Sequence, residues 1–356
     1  MKVLVLGAGA VGGLLGGTLA IGGADVTLVA RGARGRTLAA QGLRLGRDGE
    51  SRHLDLPVVE SVADAATQGP FDAVLLTLRG MDLEAAGAEI AEHLPPGRII
   101  VMLNGVGHEA ALAARLPRHA VCAGTLTAAC WEREVAWIQA TDKGGVALEC
   151  RPGDACDNAD LAEAFRAGGL PSRCFPSGAA IKWSKLLLNL LGSATTAILG
   201  WPPARVFADR RLFGLELAAW REAMEVMKAM GVAPVTLPGY PVPLYVRLAR
   251  GLPAAFLHPL LGPRLAGGRG DRLPGPAADL ARGRTRTECE WLSGAVVLAA
   301  ARMDLSAPVN AALSSLVADL AAGRRPREAF RDQPERLLAT VAAWPSPVAP
   351  GEDAKP

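Results

Sequence analysis

Lysine is scarce in this sequence, which contains six lysines against 32 arginines. Two of the six, Lys182 and Lys185, lie three residues apart in the Leu-rich segment IKWSKLLLN (181–189). An arginine stays charged in a protein, whereas the pKa of a lysine can be tuned until it releases a proton. The pair is therefore either a chance feature of a solvated helix face or the position of a catalytic amine.

Aromatic residues and basic clusters are also rare. Aromatic side chains make up 4% of the 356 residues, the net charge is only +3, and the longest basic-rich run is ARGRTR at 281–286. Nucleic-acid binding relies on basic patches and on aromatic side chains that stack on bases. We therefore expect no nucleic-acid partner.

Uninterrupted apolar segments of membrane-spanning length are missing. The segment 186–200 is apolar, but Asn189, Gly192, Ser193 and two threonines interrupt it, so it falls short of the ~20 apolar residues that a span needs. The glycines of the first twenty residues are too dense and too regularly placed for the apolar helix of a signal peptide. We expect no membrane association.

Metal-binding patterns of cysteine and histidine are absent as well. The six cysteines form no C-x-x-C pair and do not line up with the five histidines at the spacing of metal ligands. In a chain of this length we interpret them as reduced, mostly buried thiols of a cytoplasmic protein, and we expect no metal site. The cysteines are Cys122, Cys130, Cys150, Cys156, Cys174 and Cys289.

What is present begins at the N-terminus, with a glycine pattern in a specific context. KVLVL (2–6) is a continuous apolar run typical of a buried parallel strand. GAGAVG follows at once, a helical pattern continues to about Ile21, and ADVTLVA (24–30) predicts a second strand. A strand, a glycine turn, a helix and a strand form the context that a dinucleotide-binding fingerprint requires. The predicted cofactor contacts are Gly7, Gly9, Ala10, Val11 and Gly12.

Arginines follow the second strand, where an acidic residue would bind the ribose of NAD. The segment reads VARGARGR, with Arg31, Arg34 and Arg36 and no acid. A guanidinium can bind phosphate oxygens in pairs, so the segment favours the 2′-phosphate of NADP(H). Arg31 follows the strand directly and is the predicted ligand, whereas Arg34 and Arg36 fit a solvated loop equally well.

Strands and helices continue to alternate through the first half. Because ligands of such sheets bind at the carboxyl ends of the strands, Arg79 and Asn104 are predicted to lie near the cofactor. Asn104 is equally explained as a turn residue that precedes Gly105. The later strands lack intervening helices and are candidates for antiparallel pairing. The patterns predict strands at 71–78, 97–105, 120–128, 135–140 and 144–150, and a helix at 81–94.

The second half is mostly helical, with predicted helices at 180–200, 210–231, 287–304 and 308–323. Between them, 232–278 is rich in Pro and Gly, contains Tyr240 and Tyr245, and is expected to be a long irregular segment, either a lid or a surface excursion. The fold class is thus an α/β Rossmann-type N-terminal domain followed by a second, mainly α-helical C-terminal domain. The predicted domains are 1–174, which binds NADP, and 175–344, which serves substrate binding or dimerisation, with a disordered tail at 345–356.

A nucleotide domain followed by a helical domain suggests a dehydrogenase, which needs a proton donor as well as a hydride. A cationic lysine can protonate a ketone oxygen and stabilise the developing alkoxide. On a helix, Lys185 and Asn189 are four residues apart and share a face. Lys182 lies close to the same face, and spacing alone does not exclude it.

The sequence resembles the ketopantoate reductase (2-dehydropantoate 2-reductase) family in four motifs, whose order and separation match over roughly residues 1–325. They are the N-terminal GAGAVGG, LNGVG (103–107), W-x-K-L-x-x-N (183–189) and RTE (286–288) followed by LSG (292–294). The resemblance implies that Lys185 is the general acid and that Asn189 contacts the substrate. It also implies that Glu288 holds the substrate hydroxyl or the lysine, that Asn104 helps to bind cofactor and substrate, and that Arg31 takes the 2′-phosphate.

Some positions depart from the family pattern. Arg79 stands where the family usually has Lys, and Ser193 stands where it commonly has a second substrate-binding Asn, with Ala194 in place of the usual Pro. A substrate-binding Ser upstream of Glu288 is replaced around Gly275. The acid and the cofactor residues are intact, whereas the substrate contacts have partly changed.

These observations lead to an NADPH-dependent reductase of a 2-oxo acid, ketopantoate or a related ketone. A bulkier or more apolar 2-oxo acid is one alternative, and a non-catalytic NADP-binding sensor is another. The retained Lys185 and Glu288 argue against a sensor, which needs no acid. The partner is a small-molecule substrate. A homodimer through the amphipathic helices is possible, although the same apolar faces could pack a core.

Overall fold

The computed structural model describes residues 1–47, 49–268 and 273–345. The chain forms two compact units. The first contains Met1–Lys185 and Pro234–Val242, and the second contains Leu186–Ala233 and the described residues from Pro243 onward. The predicted tail lies, from residue 346, outside the described residues, as do residues 269–272 of the segment predicted to be irregular.

The first unit carries the strands that the structure describes. β1 shows why they form, because its continuous apolar run buries both faces: Val3 and Val5 pack into one cluster, and Leu4 and Leu6 pack into another on the opposite side. The strands are β1 (Lys2–Leu6), β2 (Asp25–Val29), β3 (Leu43–Arg47), β4 (Glu50–Leu54), β5 (Val58–Val59), β6 (Ala73–Leu76), β7 (Arg98–Val101), β8 (Ala120–Leu126), β9 (Cys130–Glu134), β10 (Trp137–Ala140), β11 (Val146–Glu149) and β12 (Ser172–Phe175).

Eight of these strands form one sheet in the order β12-β11-β8-β7-β6-β1-β2-β5. Pairing is parallel from β5 to β8, and β11 then joins β8 antiparallel. The remaining four form a second sheet in the order β4-β3-β10-β9, in which β10 and β9 are antiparallel. The Rossmann-type fold is therefore confirmed, and so is antiparallel pairing among its later strands.

Helices of the first unit connect these strands, and α1 follows the glycine turn between β1 and β2. They are α1 (Ala10–Ile21), α2 (Gly32–Gln41), α3 (Val62–Ala66), α4 (Leu83–His93), α5 (His108–Arg115), α6 (Ala159–Ala167) and α7 (Gly178–Leu190), the last of which extends past Lys185 into the second unit.

The second unit is helical, as predicted. Its core contains Leu199, Trp201, Leu212, Leu316 and Phe330. Its helices are α8 (Ser193–Leu199), α9 (Pro203–Ala208), α10 (Arg210–Ala229), α11 (Val242–Gly251), α12 (Ala254–Gly268), α13 (Gly275–Ala281), α14 (Ser293–Arg302), α15 (Pro308–Ala321) and α16 (Pro334–Ala342). No helix in the described residues is both long and apolar enough to cross a membrane.

The prediction of an irregular segment at 232–278 is wrong over much of its length, which contains α11 and α12. Its prolines misled the prediction because several of them mark helix starts. Pro243 is the second residue of α11 and Pro253 directly precedes α12, positions that proline tolerates. Pro259 and Pro263 do lie inside α12.

Two predicted helices are interrupted. The 180–200 helix divides into α7 and α8 at Gly192, whose φ of 72° is left-handed. The 287–304 helix begins as a separate 3-10 turn, Glu288–Trp291, before α14. Both interruptions lie next to predicted site residues.

The prediction that all six cysteines are reduced is wrong for four of them. Disulfides join Cys122 to Cys156 and Cys150 to Cys174, with Cα–Cα distances of 5.5 and 5.3 Å. The partners are 34 and 24 residues apart in sequence, and the order of strands brings them together, so their spacing gave no signal. Cys130 and Cys289 are not part of either disulfide.

Candidate cofactor and active-site residues

Four neighbouring parallel strands end at one edge of the large sheet. In the order β7-β6-β1-β2, they are followed by Asn104, Arg79, the glycine turn and Arg31. The register aligns Leu6 with Leu76 and Leu76 with Val101, so these strands end level with one another. The structure thus brings the predicted cofactor residues of the first unit to the carboxyl edge of the sheet, where ligands of open α/β sheets bind.

The glycine turn is held tightly on its inner side. Gly7 has a φ of 105°, and a Cβ on Gly12 would overlap with the carbonyl oxygen of Gly7. The hydroxyl of Thr77 donates a hydrogen bond to that same oxygen at 2.6 Å, a contact that no sequence motif indicates. These contacts require glycine at both positions.

The outer side of the turn is open. A Cβ on Gly9 would meet no atom within 4 Å, and Gly9 is the N-cap of α1. Ala10 and Val11, both partly exposed, form the first turn, which contains no acidic residue. The N–H groups at a helix N-terminus lack intrahelical partners and favour an anion. The turn therefore fits the pyrophosphate of a dinucleotide.

The arginines after β2 differ in their environments. Arg31 is exposed and is the N-cap of α2, and Arg36 is exposed within that helix. Arg34 donates hydrogen bonds to both carboxylate oxygens of Glu132 on β9, with an Nη2–Oε2 distance of 2.8 Å, and to the carbonyl oxygen of Ala8 at 3.3 Å. The expectation of a solvated loop is wrong for Arg34, which lies in α2 and forms an ion pair with Glu132.

The loop after β7, residues 102–107, has an exposed tip, and buried side chains hold its base by hydrogen bonds. Asn104 is exposed, and Gly105 and Gly107 adopt the left-handed φ values of 89° and 97°. His108 is 2% exposed, and its Nε2 donates to the carbonyl oxygen of Asn104 at 3.0 Å. Burial first, and then the positive charge of Lys182, lower the pKa of His108 to about 4. The ring is therefore neutral near pH 7.

Lys182 lies beneath the same loop and is 3% exposed. Its Nζ donates to the carbonyl oxygens of Val101 at 2.8 Å and Leu103 at 2.7 Å, and it forms an ion pair with Glu109 at 2.9 Å. An ammonium has three N–H donors, and three oxygens surround this one. All three donors of Lys182 are therefore directed at protein oxygens, which argues against this residue as the proton donor, an alternative that spacing had left open.

Lys185 lies on the partly exposed face of α7, together with Leu188 and Asn189. The neighbouring Ser184 is fully buried, and its hydroxyl accepts a hydrogen bond from the backbone N–H of Val235 at 2.8 Å. Of the two lysines on this helix, only Lys185 retains access to solvent.

Ser193 begins α8 and is 4% exposed. Its hydroxyl donates to the carbonyl oxygen of Asn189. Glu216, 3% exposed on α10, accepts the backbone N–H of Gly192 at 2.7 Å. A buried carboxylate thus fixes the turn that separates Asn189 from Ser193, and no sequence motif indicated it.

Glu288 starts the 3-10 turn before α14, and its backbone N–H donates to Oδ2 of the fully buried Asp279 at 3.1 Å. A Cβ built on Gly275, the first residue of α13, would overlap with Oε2 of Glu288. The carboxylate therefore occupies the space that a side chain at position 275 would fill. The adjacent Cys289 is buried, which raises its pKa to about 12, so it remains a protonated thiol.

Comparison with known families gives two matches that together span most of the chain. The family described as "Ketopantoate reductase PanE/ApbA" matches residues 3–153, and "Ketopantoate reductase PanE/ApbA C terminal" matches residues 179–321.

Curated relatives agree with these matches. A 2-dehydropantoate 2-reductase of Halobacterium salinarum is 27% identical over 327 residues, which cover 89% of this chain and 98% of the relative. One from Archaeoglobus fulgidus is 26% identical over 325 residues, which cover 90% of this chain and 98% of the relative.

Solved structures share the fold. A PanE/ApbA family ketopantoate reductase of Ralstonia eutropha superposes with a TM-score of 0.75 at 24% identity, covering 91% of this chain and 99% of its own. A ternary structure of D-mandelate dehydrogenase with NADH and anilino(oxo)acetate gives a TM-score of 0.72 at 18% identity, with coverage of 91% and 99%.

Proposed function

The chain belongs to the ketopantoate reductase family, and from that premise we propose that it is an NADPH-dependent reductase of a 2-oxo acid, ketopantoate in the first instance. The family consists of oxidoreductases that act on CH–OH groups. The observation that carries the proposal is the difference between the two lysines of α7. Lys182 is buried and its Nζ contacts three protein oxygens, whereas Lys185 is partly exposed.

The nucleotide is held by the edge of the large sheet. The glycine turn with Gly7 and Gly9 and the first turn of α1 with Ala10, Val11 and Gly12 take the pyrophosphate. Arg31 takes the 2′-phosphate through paired hydrogen bonds. Arg79 and Asn104 contact the cofactor from the ends of β6 and β7. The bound cofactor supplies the hydride.

The substrate is handled by residues that the family motif assigns. Lys185 donates a proton from its Nζ to the carbonyl oxygen and stabilises the negative charge that develops there. Asn189 binds the substrate, Glu288 accepts a hydrogen bond from its hydroxyl, and Asn104 contributes to its binding. The substrate contact of Ser193 stays a prediction, because its hydroxyl is engaged by main chain.

A bulkier 2-oxo acid is the second candidate, and the changed substrate-contact positions, Gly275 among them, support it. The carboxylate of Glu288 fills the space beside Gly275 where the family pattern has a serine side chain. D-mandelate dehydrogenase, which shares the fold, was crystallised with the aryl-substituted anilino(oxo)acetate. An aryl 2-oxo acid is therefore the natural competitor of ketopantoate.

The deciding assay is NADPH oxidation by the purified protein with ketopantoate, with benzoylformate as the aryl 2-oxo acid, and without substrate. Turnover at ordinary enzyme rates, about 1–10³ s⁻¹, with ketopantoate supports the first proposal. Turnover with benzoylformate alone supports the second. Binding of NADPH without turnover of any carbonyl would contradict both and leave the non-catalytic sensor.

A cytoplasmic location and a homodimer also belong to this proposal. The two disulfides are unusual for a cytoplasmic protein, because that compartment keeps thiols reduced. Alkylating the protein in denaturant at the moment of cell lysis and counting labelled cysteines would test the location. Six labelled thiols would agree with a reducing compartment, whereas two would contradict it. Sedimentation analysis would test the dimer.

A further inference from the structure

The base of the Asn104 loop contains an unusual concentration of buried polar groups. Lys182, His108 and the partly buried Glu109 lie together beneath it, and none of them belongs to the proton-donating or cofactor-binding residues. A buried ammonium is costly unless charge and hydrogen bonds compensate it. Packing alone does not explain why an ammonium group is buried here.

The partners of this cluster are consecutive pieces of main chain. Lys182 binds the carbonyl oxygens of Val101 and Leu103, and His108 binds that of Asn104. Three carbonyl groups within four residues are thus held from the buried side, at the point where β7 ends. The side chain of Asn104, by contrast, is exposed.

Residue type matters at position 182. A hydrophobic side chain would leave the two carbonyl groups without these donors, and leaving a buried polar group unsatisfied is unfavourable. The planar fork of an arginine does not match three oxygens arranged around a single nitrogen. Glu109 is the second residue of α5, so its ion pair with Lys182 connects the loop to the helix that follows it.

We propose that Lys182, with Glu109 as its counter-ion, is a positioning residue that fixes the main chain of residues 101–104 and thereby sets the orientation of Asn104 at the cofactor edge. The kinetic part of this inference rests on the proposed reductase function. The presence of two lysines in the IKWSK segment is thus explained: Lys185 transfers a proton, and Lys182 holds the loop.

The experiment compares Lys182→Met, Glu109→Gln and the double variant with the wild-type protein. Lys228→Met, at an exposed position on α10, controls for the loss of a lysine. Three quantities are measured in each: amide hydrogen exchange of residues 102–107, the dissociation constant of NADPH, and kcat and KM for the 2-oxo acid that the wild type reduces. Thermal unfolding reports stability separately.

In Lys182→Met we expect faster exchange confined to residues 102–107, weaker NADPH binding and a kcat/KM lower by about 100-fold, the scale of a misplaced contact group. The double variant removes the unpaired carboxylate. It should regain thermal stability but not the slow exchange or the kcat/KM, because the two carbonyl groups remain unheld. Lys228→Met should match the wild type.

Two results would overturn the inference. One is unchanged exchange at residues 102–107 in both variants that lack Lys182. The other is a double variant with wild-type kcat/KM and NADPH affinity, which would show that Lys182 serves only to neutralise Glu109. If the wild type reduces no 2-oxo acid, the proposed function fails, whereas exchange and NADPH binding still decide the role of Lys182.

Discussion

Arg34 and Glu132 form a two-point ion pair beside the glycine turn, although they are 98 residues apart in sequence. The hydrogen bonds that Arg34 donates to Glu132 are the main cause that raises the pKa of the Arg34 guanidinium above its ordinary value. The same guanidinium contacts the carbonyl oxygen of Ala8. One of the arginines after β2 is therefore already neutralised, which leaves Arg31 and Arg36 as the exposed cations of that segment.

This pairing predicts that Glu132→Gln shifts cofactor preference toward NADPH. Removing the carboxylate leaves the positive charge of Arg34 uncompensated next to the predicted 2′-phosphate site. We expect the ratio of the NADH and NADPH dissociation constants to rise several-fold, and the rise to shrink with added salt because exposed charges are screened. Glu134→Gln, an exposed change on the same strand, is the matched control. Equal ratios in both variants would contradict the prediction.

Arg31→Ala should have the opposite effect. Loss of the predicted 2′-phosphate ligand removes charge-assisted hydrogen bonds of about 1.5–3 kcal/mol, so the NADPH dissociation constant should rise by roughly 10-fold to 100-fold while that of NADH changes little. Arg36→Ala, exposed on the same helix, is the comparison. If Arg36→Ala weakens NADPH binding and Arg31→Ala does not, the ligand has been assigned to the wrong arginine.

Local patterns account for what the sequence predicted well. The strand, glycine turn and helix at residues 2–21 are contiguous, and their hydrophobic periodicity and glycine spacing identify them without knowledge of the tertiary fold. The long helix α10 likewise agrees with the predicted 210–231 to within two residues. Each of these signals depends on neighbours in sequence.

Contacts between segments that are distant in sequence account for several features that the sequence did not predict. Lys182 binds carbonyl groups 79 and 81 residues away, and the disulfide partners become neighbours through strand order. The segment 232–278 failed for a different reason, because prolines at helix starts resemble loop composition when the helix boundaries are unknown. The spacing on α7 left two candidate lysines, and the burial of Lys182 is a difference between them that no local pattern indicates.

Lys185→Ala should abolish turnover while leaving NADPH bound, because the proposed function gives this residue the proton transfer and no cofactor contact. Lys185→Arg is the sharper variant, since it keeps a positive charge but cannot release a proton near neutral pH. We expect both to lower kcat by at least about 100-fold, the lower range for general acid catalysis, with NADPH affinity within a few-fold of wild type. Near-normal turnover by Lys185→Arg would show that the charge is sufficient and that the proton comes from elsewhere.

His108 should make the free energy of unfolding depend on pH in the mildly acidic range. Its pKa falls from 6.5 to about 4 on folding, so the unfolded chain binds a proton between these values and the folded chain does not. Stability is therefore full above pH 6.5 and is lost as the pH falls toward 4, by up to about 3 kcal/mol for this residue. The charged groups that face His108 are Lys182 and Glu109.

Denaturant unfolding of the wild type and of His108→Gln at pH 7 and pH 4.5 would measure this contribution. Glutamine keeps an N–H donor but does not titrate, so its stability should fall less between the two pH values. Parallel losses in the two proteins would show that His108 is not the group responsible.

Gly275→Ser tests how the space beside Glu288 sets substrate preference. Any Cβ at this position overlaps with the Glu288 carboxylate, which must therefore move, and the new hydroxyl restores the donor that the family pattern has here. We expect the ratio of kcat/KM for ketopantoate to that for benzoylformate to rise by at least about 10-fold, the lower end of what pocket contacts achieve. Gly275→Ala displaces the carboxylate without adding a hydroxyl and should lower kcat/KM for both acids. If serine and alanine have the same effect on the ratio, displacement of Glu288 alone accounts for it, and the hydroxyl has no part in substrate choice.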